Sequence, residues 1–430
     1  MKLIFAKISV LVLATAALSS CIEMMKEVQD VPIVEPITVS YKVNAATGFI
    51  PKGGSVTPDP NFSTAGVKVT FTNITTNQVF ETETGADCFA SADVDPGVYS
   101  IGISGNAIFK GYEYFINGNV PSISLFKTVT KAEAEADPAF NLTVRPAKVG
   151  SLVLSEIYYC GVQSYYFRDQ TYQIYNNGDE TVYLDGVCLG QLYPQNATAN
   201  LPVWPDEDGT DNFAYCMWVW QFPGSGNDYP LKPGQSVILA QEARDHTTNN
   251  ENSFDNSIAE WECWTANAGR DNPAVANMPP IYYTSWNALQ WLSGVFGAAF
   301  CLFKIEGETV DADYFSKSGP NVQNEVNKTA KYAKIPADAI LDGVELLTNS
   351  GAFNMKRVPG FIDAGGTSVD ATYCGKSVSR KVIGTRSDGT PILQDTNNST
   401  DDFQVNESPA LRRNGEKAPD WRPKDTDWRP

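Results

Sequence analysis

Short runs of alternating apolar and polar residues, separated by glycine and proline turns, constrain the fold of this chain more than any other feature. Residues 67–71 read Val-Lys-Val-Thr-Phe, and the turn at 95–97 (Asp-Pro-Gly) opens another such run at 98–103. Side chains of a strand alternate between its two faces, so a period of two predicts half-buried strands. The 33 glycines and 26 prolines among 430 residues disfavour long helical bundles. We therefore predict a mostly β protein.

A second set of strand-like runs follows a boundary at residues 144–150. These runs lie at 152–159, 172–175, 182–187 and 236–240, and polar turns separate them. The pattern predicts two β-sandwich domains in series, at 38–146 and 147–430. A long aromatic-rich insertion is expected in the second domain, around 245–370.

Both sets of strands resemble known families. The arrangement GVKVTFTN…ETETGADCFASADVDPGVYSIGISG resembles transthyretin-like and carboxypeptidase-regulatory-like domains. That resemblance implies a β-sandwich with a spacer or adhesive role and no catalysis. The series SEIYY…YQIYNNGDETVYLDGVCL…LKPGQSVILA resembles the lamin-tail domain, an Ig-like sandwich, and residues 377–403 look like its closing strands. It departs from that pattern at Gln173, where Glu is common, and at Val187, where Trp is common.

The N-terminus resembles a bacterial lipoprotein signal. Lys2 and Lys7 precede an apolar run at 8–18, which is too short to span a bilayer because spanning takes about 20 apolar residues. The run ends in Leu-Ser-Ser followed by Cys21, which resembles a lipobox. The resemblance implies that residues 1–20 are removed, that Cys21 is acylated and that 21–37 form a tether. Because Ile22 rather than Asp follows the cysteine, the outer membrane is favoured. The cell surface is the expected face, and the periplasmic face stays open.

The whole layout most resembles an uncharacterised family of Bacteroides lipoproteins, a domain-of-unknown-function family. This resemblance implies surface residence and leaves the activity open.

Charge and histidine content exclude several classes of function. The chain has 32 Lys and Arg against 50 Asp and Glu, for a net charge of −18, so nucleic acid is not an expected partner. Its single histidine, His246, is expected in a loop after the run at 236–240, and no Gly-x-Ser-x-Gly motif accompanies it. We predict no catalytic residue and no cofactor. A glycan hydrolase with paired carboxylates, drawn from Asp206, Asp208, Glu260 and Glu262, is the alternative from a different class.

Two further residue sets leave alternatives open. Asp206, Asp208 and Asp211 surround Gly209 and form a candidate Ca²⁺ site, although a solvated acidic turn has the same composition. Seven cysteines remain besides Cys21, and no Cys-x-x-Cys spacing suggests zinc. They fit either small core residues or one or two disulfides.

Aromatic residues crowd the second domain and suggest a ligand. Exposed rings beside amides and carboxylates suit sugars, because apolar C–H faces stack on rings while polar groups bind hydroxyls. The candidates for contact with a glycan or small ligand are Trp204, Trp218, Trp261, Trp264 and Trp286. Core packing is the competing interpretation of the same residues. The predicted function is that of a non-enzymatic outer-membrane or cell-surface lipoprotein that binds either a ligand or a partner of an outer-membrane uptake system, such as its receptor. A structural or adhesive surface component is the remaining alternative.

Overall fold

The computed structural model describes residues 34–54, 56–264, 270–284 and 293–422. Of the described residues, 39% lie in strands and 6% in helices, and the strands form several sheets as expected for a protein of multiple β-sandwiches. In the described part of the chain, no helix has the length and apolarity needed to cross a membrane. Cys21 lies outside the described residues.

The N-terminal strands form two sheets that face each other across one core. The elements, in chain order, are β1 (Ile37–Ala45), β2 (Lys68–Asn73), β3 (Val79–Glu83), β4 (Phe89–Val94), β5 (Gly97–Phe109), β6 (Tyr112–Leu125), α1 (Lys131–Ala136), β7 (Asn141–Val144) and β8 (Pro146–Lys148). The sheets have the orders β4-β1-β7 and β3-β2-β5-β6-β8. Val39, Tyr41 and Val43 of β1 meet Val69 and Phe71 of β2 in this core. In β2, the period-two pattern at 67–71 therefore predicted which side chains point inward.

The C-terminal strands form a larger pair of sheets. They are β9 (Leu152–Tyr158), β10 (Thr171–Asn176), β11 (Val182–Tyr183), β12 (Cys188–Leu192), β13 (Phe213–Gln221), β14 (Pro230–Leu231), β15 (Ser236–Ala240), β16 (Trp261–Glu262), β17 (Ala276–Asn277), β18 (Pro280–Tyr283), β19 (Ala299–Phe303), β20 (Val322–Asn324), β21 (Lys331–Pro336), β22 (Ile340–Glu345), β23 (Ser377–Arg380), β24 (Val382–Thr385), β25 (Pro391–Leu393), α2 (Ser399–Asp402) and β26 (Phe403–Asn406). One sheet has the order β17-β16-β15-β10-β9-β23-β26. The other has the order β20-β21-β13-β12-β19-β22, with β18 paired to β13.

The central strands of this part are buried along their whole length. Every residue of β9, β10, β12, β15 and β19 is buried. One face of these strands packs in the core between the sheets, which includes Leu154, Ile174 and Phe300. On the other side of the second sheet, a further core contains Cys301, Phe315 and Ile362. Strands covered on both faces lose the alternation that marks half-buried ones.

The stretch 245–370, expected as an insertion, is part of both sheets. It contributes β16 and β17 to the first sheet and β18 to β22 to the second. In particular, β19 pairs with β12 through Leu302–Leu189 and with β22 through Phe300–Val344. The second sheet is thus built largely from this stretch, because β12 and β13 alone could not cover the first sheet.

Candidate functional site

Two loops of the C-terminal sandwich bring tyrosine rings together at the surface. Tyr165 lies in the loop between β9 and β10, and Tyr373 lies in the loop before β23. Their ring centroids are 5.1 Å apart with an interplanar angle of 81°, and the ring centroid of Phe167 is 6.4 Å from that of Tyr373. Tyr165 is 78% exposed, and so is about half of Phe296 nearby. We call the surface of Tyr165, Phe167, Phe296 and Tyr373 the aromatic platform.

The backbone of both loops is held in an unusual conformation. Val162 and Tyr166 exchange two backbone hydrogen bonds of 2.8 and 3.2 Å, which close a tight hairpin with Tyr165 near its tip. Tyr165 has φ of 58° and Tyr373 has φ of 52°. Bulky residues rarely adopt this left-handed region, which costs about 1–3 kcal/mol, and such strain clusters at binding sites. The surrounding contacts therefore hold two rings at the surface against the preference of their own backbones.

A shallow depression of about 160 Å³ lies against the platform. Gln195 and Asn196 border it together with the rings of Phe167, Phe296 and Tyr373. Asn196 packs over Gly294, where an added Cβ would lie 1.7 Å from the Asn196 Oδ1 atom. The site thus combines apolar ring surface with side-chain amides, which both donate and accept hydrogen bonds.

His246 supports the platform from below. The Tyr166 hydroxyl donates to His246 Nδ1 at 2.7 Å, and Nε2 donates to the Glu242 carbonyl at 2.8 Å. The imidazole is fully buried, and burial lowers its pKa to about 4. It follows β15 as expected, but it lies inside the protein, where it fixes Tyr166 between the two platform residues Tyr165 and Phe167.

Two of the tryptophans predicted to bind ligand are core residues. Trp218 and Trp261 are each 2% exposed and belong to the core between the two C-terminal sheets. The Trp218 ring packs edge-on against Tyr283, and the Trp261 ring packs edge-on against Phe222. Neither ring has a face available to a ligand. Burying such a large apolar surface stabilises the fold by more than it costs to remove the indole N–H group from water.

The other tryptophans predicted to bind ligand are Trp204, Trp264 and Trp286. Trp204 is half-buried, and one of its faces stacks on Tyr215 with a centroid distance of 3.6 Å. Trp264 is also half-buried. Trp286 lies outside the described residues. The structure thus places neither Trp204, Trp218 nor Trp261 on the aromatic platform.

Two of the three acidic residues around Gly209 form ion pairs with lysines. Asp206 pairs with Lys52 at 2.5 Å. Asp208 pairs with Lys334 and accepts from the Tyr215 hydroxyl at 2.8 Å. Burial raises the pKa of the Asp211 carboxyl. Among the residues described, no group of three or more His, Cys, Asp or Glu side chains is arranged to hold a metal ion.

The two glutamates considered for a glycan hydrolase, Glu260 and Glu262, form ion pairs and hydrogen bonds with other protein groups. Glu260 pairs with Arg412 at 2.7 Å and with Arg422 at 3.1 Å. The Glu262 carboxylate accepts from the backbone N–H groups of Ala243 and Asn272 at 2.8 and 2.7 Å. Burial raises the pKa of Glu262 to about 8. These contacts tie loops to β16 and explain why carboxylates occur there.

A larger cleft of about 640 Å³ lies where the N-terminal strands meet the C-terminal ones. Arg145 donates from Nη1 to the Asp211 carbonyl at 2.8 Å and to Asn212 Oδ1 at 2.9 Å. Asn212 in turn bonds the backbone of Ile50 in both directions, at 2.8 and 2.9 Å. The polar groups at this end of the cleft hydrogen-bond one another, and these bonds connect the N-terminal part of the protein to the C-terminal part.

The fold and the platform together define a multi-sandwich β protein with a surface aromatic site. Residues 232–410 match the family model described as "Protein of unknown function (DUF4876)". The solved structure of a DUF4876 family protein from Bacteroides thetaiotaomicron is 37% identical, with 90% of this chain and 99% of that chain covered and a TM-score of 0.60. The protein therefore belongs to the DUF4876 family, whose function is unknown.

Two other solved structures share little sequence or structure with this chain. A DUF3823 family protein from Parabacteroides merdae is 7% identical over 48% of this chain and 80% of that chain, with a TM-score of 0.14. A DUF3823 family protein from Bacteroides ovatus is 11% identical over 47% of this chain and 98% of that chain, with a TM-score of 0.16. Among curated proteins, none matches the chain.

Proposed function

We propose that this protein is a non-enzymatic, lipid-anchored surface protein that binds a neutral glycan on the aromatic platform. The observation that carries the proposal is the pair of tyrosines, Tyr165 and Tyr373, whose rings pack edge to face at the surface on a disfavoured backbone conformation. In this proposal the protein serves an outer-membrane uptake system and passes its ligand to a receptor there. Residues 38–146 act as a spacer domain between the membrane and the binding domain.

The chemistry of the site favours a sugar over other ligands. Ring faces can stack on the C–H faces of a pyranose, while Gln195 and Asn196 bind its hydroxyls. A depression of about 160 Å³ is smaller than the pockets that enclose drug-sized ligands, so it suits one sugar unit of a longer chain. The net charge of −18 repels sulfated and uronic-acid glycans, which favours neutral ones.

Tyr165→Ala is expected to weaken glycan binding at least about tenfold, because a few aromatic side chains supply most of the binding energy of such surfaces. The thermal midpoint is expected to stay unchanged, because the Tyr165 side chain is 78% exposed. A glycan array of neutral polysaccharides would identify the ligand, and calorimetry would give the two affinities.

Tyr112→Ala is the control, since Tyr112 is another exposed tyrosine and lies on the N-terminal β5–β6 hairpin, away from the platform. It is expected to leave the affinity unchanged. Equal affinities of the wild-type protein and Tyr165→Ala would contradict the platform, and so would an array without a neutral glycan among its hits.

Cys21→Ala is expected to release the protein from the membrane fraction, because acyl chains on Cys21 would be its only attachment in this proposal. The measurement is cell fractionation with mass spectrometry of the mature N-terminus. Cys88→Ala, which keeps the lipobox, should remain in the outer membrane. An unmodified N-terminal thiol on the wild-type protein would rule out the anchor.

A further inference from the structure

Two cysteine thiols meet where the two loops of the aromatic platform meet. Cys160 begins the loop that carries Tyr165, Cys374 follows Tyr373, and their Sγ atoms are 3.4 Å apart. The Tyr373 N–H donates to the Cys160 carbonyl at 2.7 Å, and the Gly375 N–H donates to the Gly161 carbonyl at 2.9 Å. Both neighbours of Cys374 are therefore held against Cys160 and Gly161. The two backbones already run side by side, as a disulfide requires.

A second pair of thiols provides an internal comparison. Cys216 and Cys301 have Sγ atoms 3.7 Å apart, but they lie on β13 and β19, which flank β12 on opposite sides. Two strand spacings amount to about 9–10 Å, which exceeds the Cα separation that a disulfide tolerates. The sulfurs approach over Gly190, where an added Cβ would lie 2.7 Å from the Cys216 sulfur. This pair can touch, but it cannot bond without separating the strands.

We propose that Cys160 and Cys374 form a disulfide that joins the two loops of the aromatic platform in the exported protein. The bond itself follows from the geometry of the two loops. Its effect on ligand binding rests on the proposed function of the platform.

The reaction needs an oxidant, which we assign to the class of disulfides, either small-molecule or protein. Cys374 lines an open cleft of about 370 Å³ with Tyr158 and Ser253, so an oxidant can reach it. Donation from the Cys160 thiol lowers the pKa of Cys374, which makes Cys374 the attacking thiolate. It bonds to one sulfur of the oxidant and expels the other as a thiol. Cys160 then loses its proton, attacks the Cys374 sulfur and expels the second thiol. Two electrons and two protons pass from the pair to the oxidant.

The bond would hold both tyrosines in place. Tyr373 is the neighbour of Cys374, and Tyr165 sits in the hairpin that Gly161 and Val162 begin. A crosslink between these loops limits how far they can separate. The loops therefore lose less conformational entropy when a glycan binds. The reduced protein is expected to bind the same glycan severalfold more weakly.

The test uses the full chain, reduced with dithiothreitol and then equilibrated with oxidised glutathione. Free thiols are alkylated with iodoacetamide during unfolding, and the peptides are mapped by mass spectrometry. A peptide linking Cys160 to Cys374, with Cys216 and Cys301 alkylated, is the expected result. Oxidation is also expected to raise the thermal midpoint by about 5 °C.

Two variants make the test specific. Cys374→Ser should abolish the rise in the midpoint, and its partly exposed position makes it the milder change of the pair. Cys88→Ser, at another partly exposed cysteine, should retain the rise. Full alkylation of Cys374 after oxidation would overturn the proposal, and so would a lasting mixed disulfide with glutathione. A linked peptide in a protein without glycan affinity would refute the proposed function and leave the disulfide standing.

Discussion

Replacing Arg380 by methionine is expected to lower the free energy of unfolding of the C-terminal sandwich by about 3–5 kcal/mol. Arg380 lies on β23 with only 2% of its side chain exposed. Its guanidinium pairs with Asp342 at 2.8 Å and with Asp395 and Asp402 at 3.2 Å each. Methionine fills most of the volume but leaves three buried carboxylates without a cation. Loss of one partner of a buried ion pair costs more than the pair contributes, because the remaining charge has no solvation.

The loss should depend on pH in a defined direction. Burial raises the pKa of Asp342 and Asp395, and Arg380 opposes this rise. Without the arginine, the folded protein holds these protons more tightly than the unfolded chain does, whose carboxyls have ordinary pKa values near 4. Stability of the variant should therefore rise as the pH falls from 8 toward 5, and the gap to the wild-type protein should narrow.

Urea unfolding followed by tryptophan fluorescence measures this loss selectively. All nine tryptophans lie at or beyond residue 204, so their emission reports on the C-terminal sandwich. Lys232→Met is the matched control, since Lys232 pairs with Asp420 at 2.6 Å on the surface with both side chains about 60% exposed. It should change the transition little. A loss for Arg380→Met as small as that of the control would show that the network is not structural.

Replacing Trp261 by alanine is expected to cost about 3–5 kcal/mol of stability as well. The indole is packed edge-on against Phe222, Tyr229 and Trp421, with centroid distances of 5.7, 5.0 and 6.4 Å. Alanine would leave a large cavity between the sheets, and the surrounding β-strands can close it only partly. Glycan affinity, measured where the variant is folded, should equal that of the wild-type protein.

Trp261→Phe separates packing from polar effects. The Nε1 atom of Trp261 is buried and has no hydrogen-bond partner among the described residues. Phenylalanine keeps a ring and removes that unsatisfied N–H group, so its cost should be well under half of the alanine value. If Trp261→Ala instead abolished glycan binding while the unfolding transition stayed in place, the indole would be a ligand contact, as the sequence suggested.

The sequence predicted an aromatic-rich domain, but it did not predict which aromatic rings lie at the surface. Composition identified an aromatic-rich domain, and a ligand platform was a reasonable inference from it. The rings at the surface are Tyr165 and Tyr373, which are 208 positions apart and share no motif. The run at 165–167, Tyr-Tyr-Phe, was the available signal, since three consecutive aromatics in a loop cannot all face one core. Tyr373 had no comparable signal, because its exposure depends on the loop against which it packs.

The sequence by itself determined the mostly β architecture and the inward faces of strands such as β2 and β5. Local alternation decides these, because a half-buried strand needs one apolar face wherever it lies. Only the tertiary structure decided that residues 245–370 complete both C-terminal sheets, that Trp218 and Trp261 are core, and that Cys374 meets Cys160. Each of these depends on contacts between residues far apart in the chain. Local pattern cannot specify such contacts, because one apolar strand can pair with many partners until packing selects one.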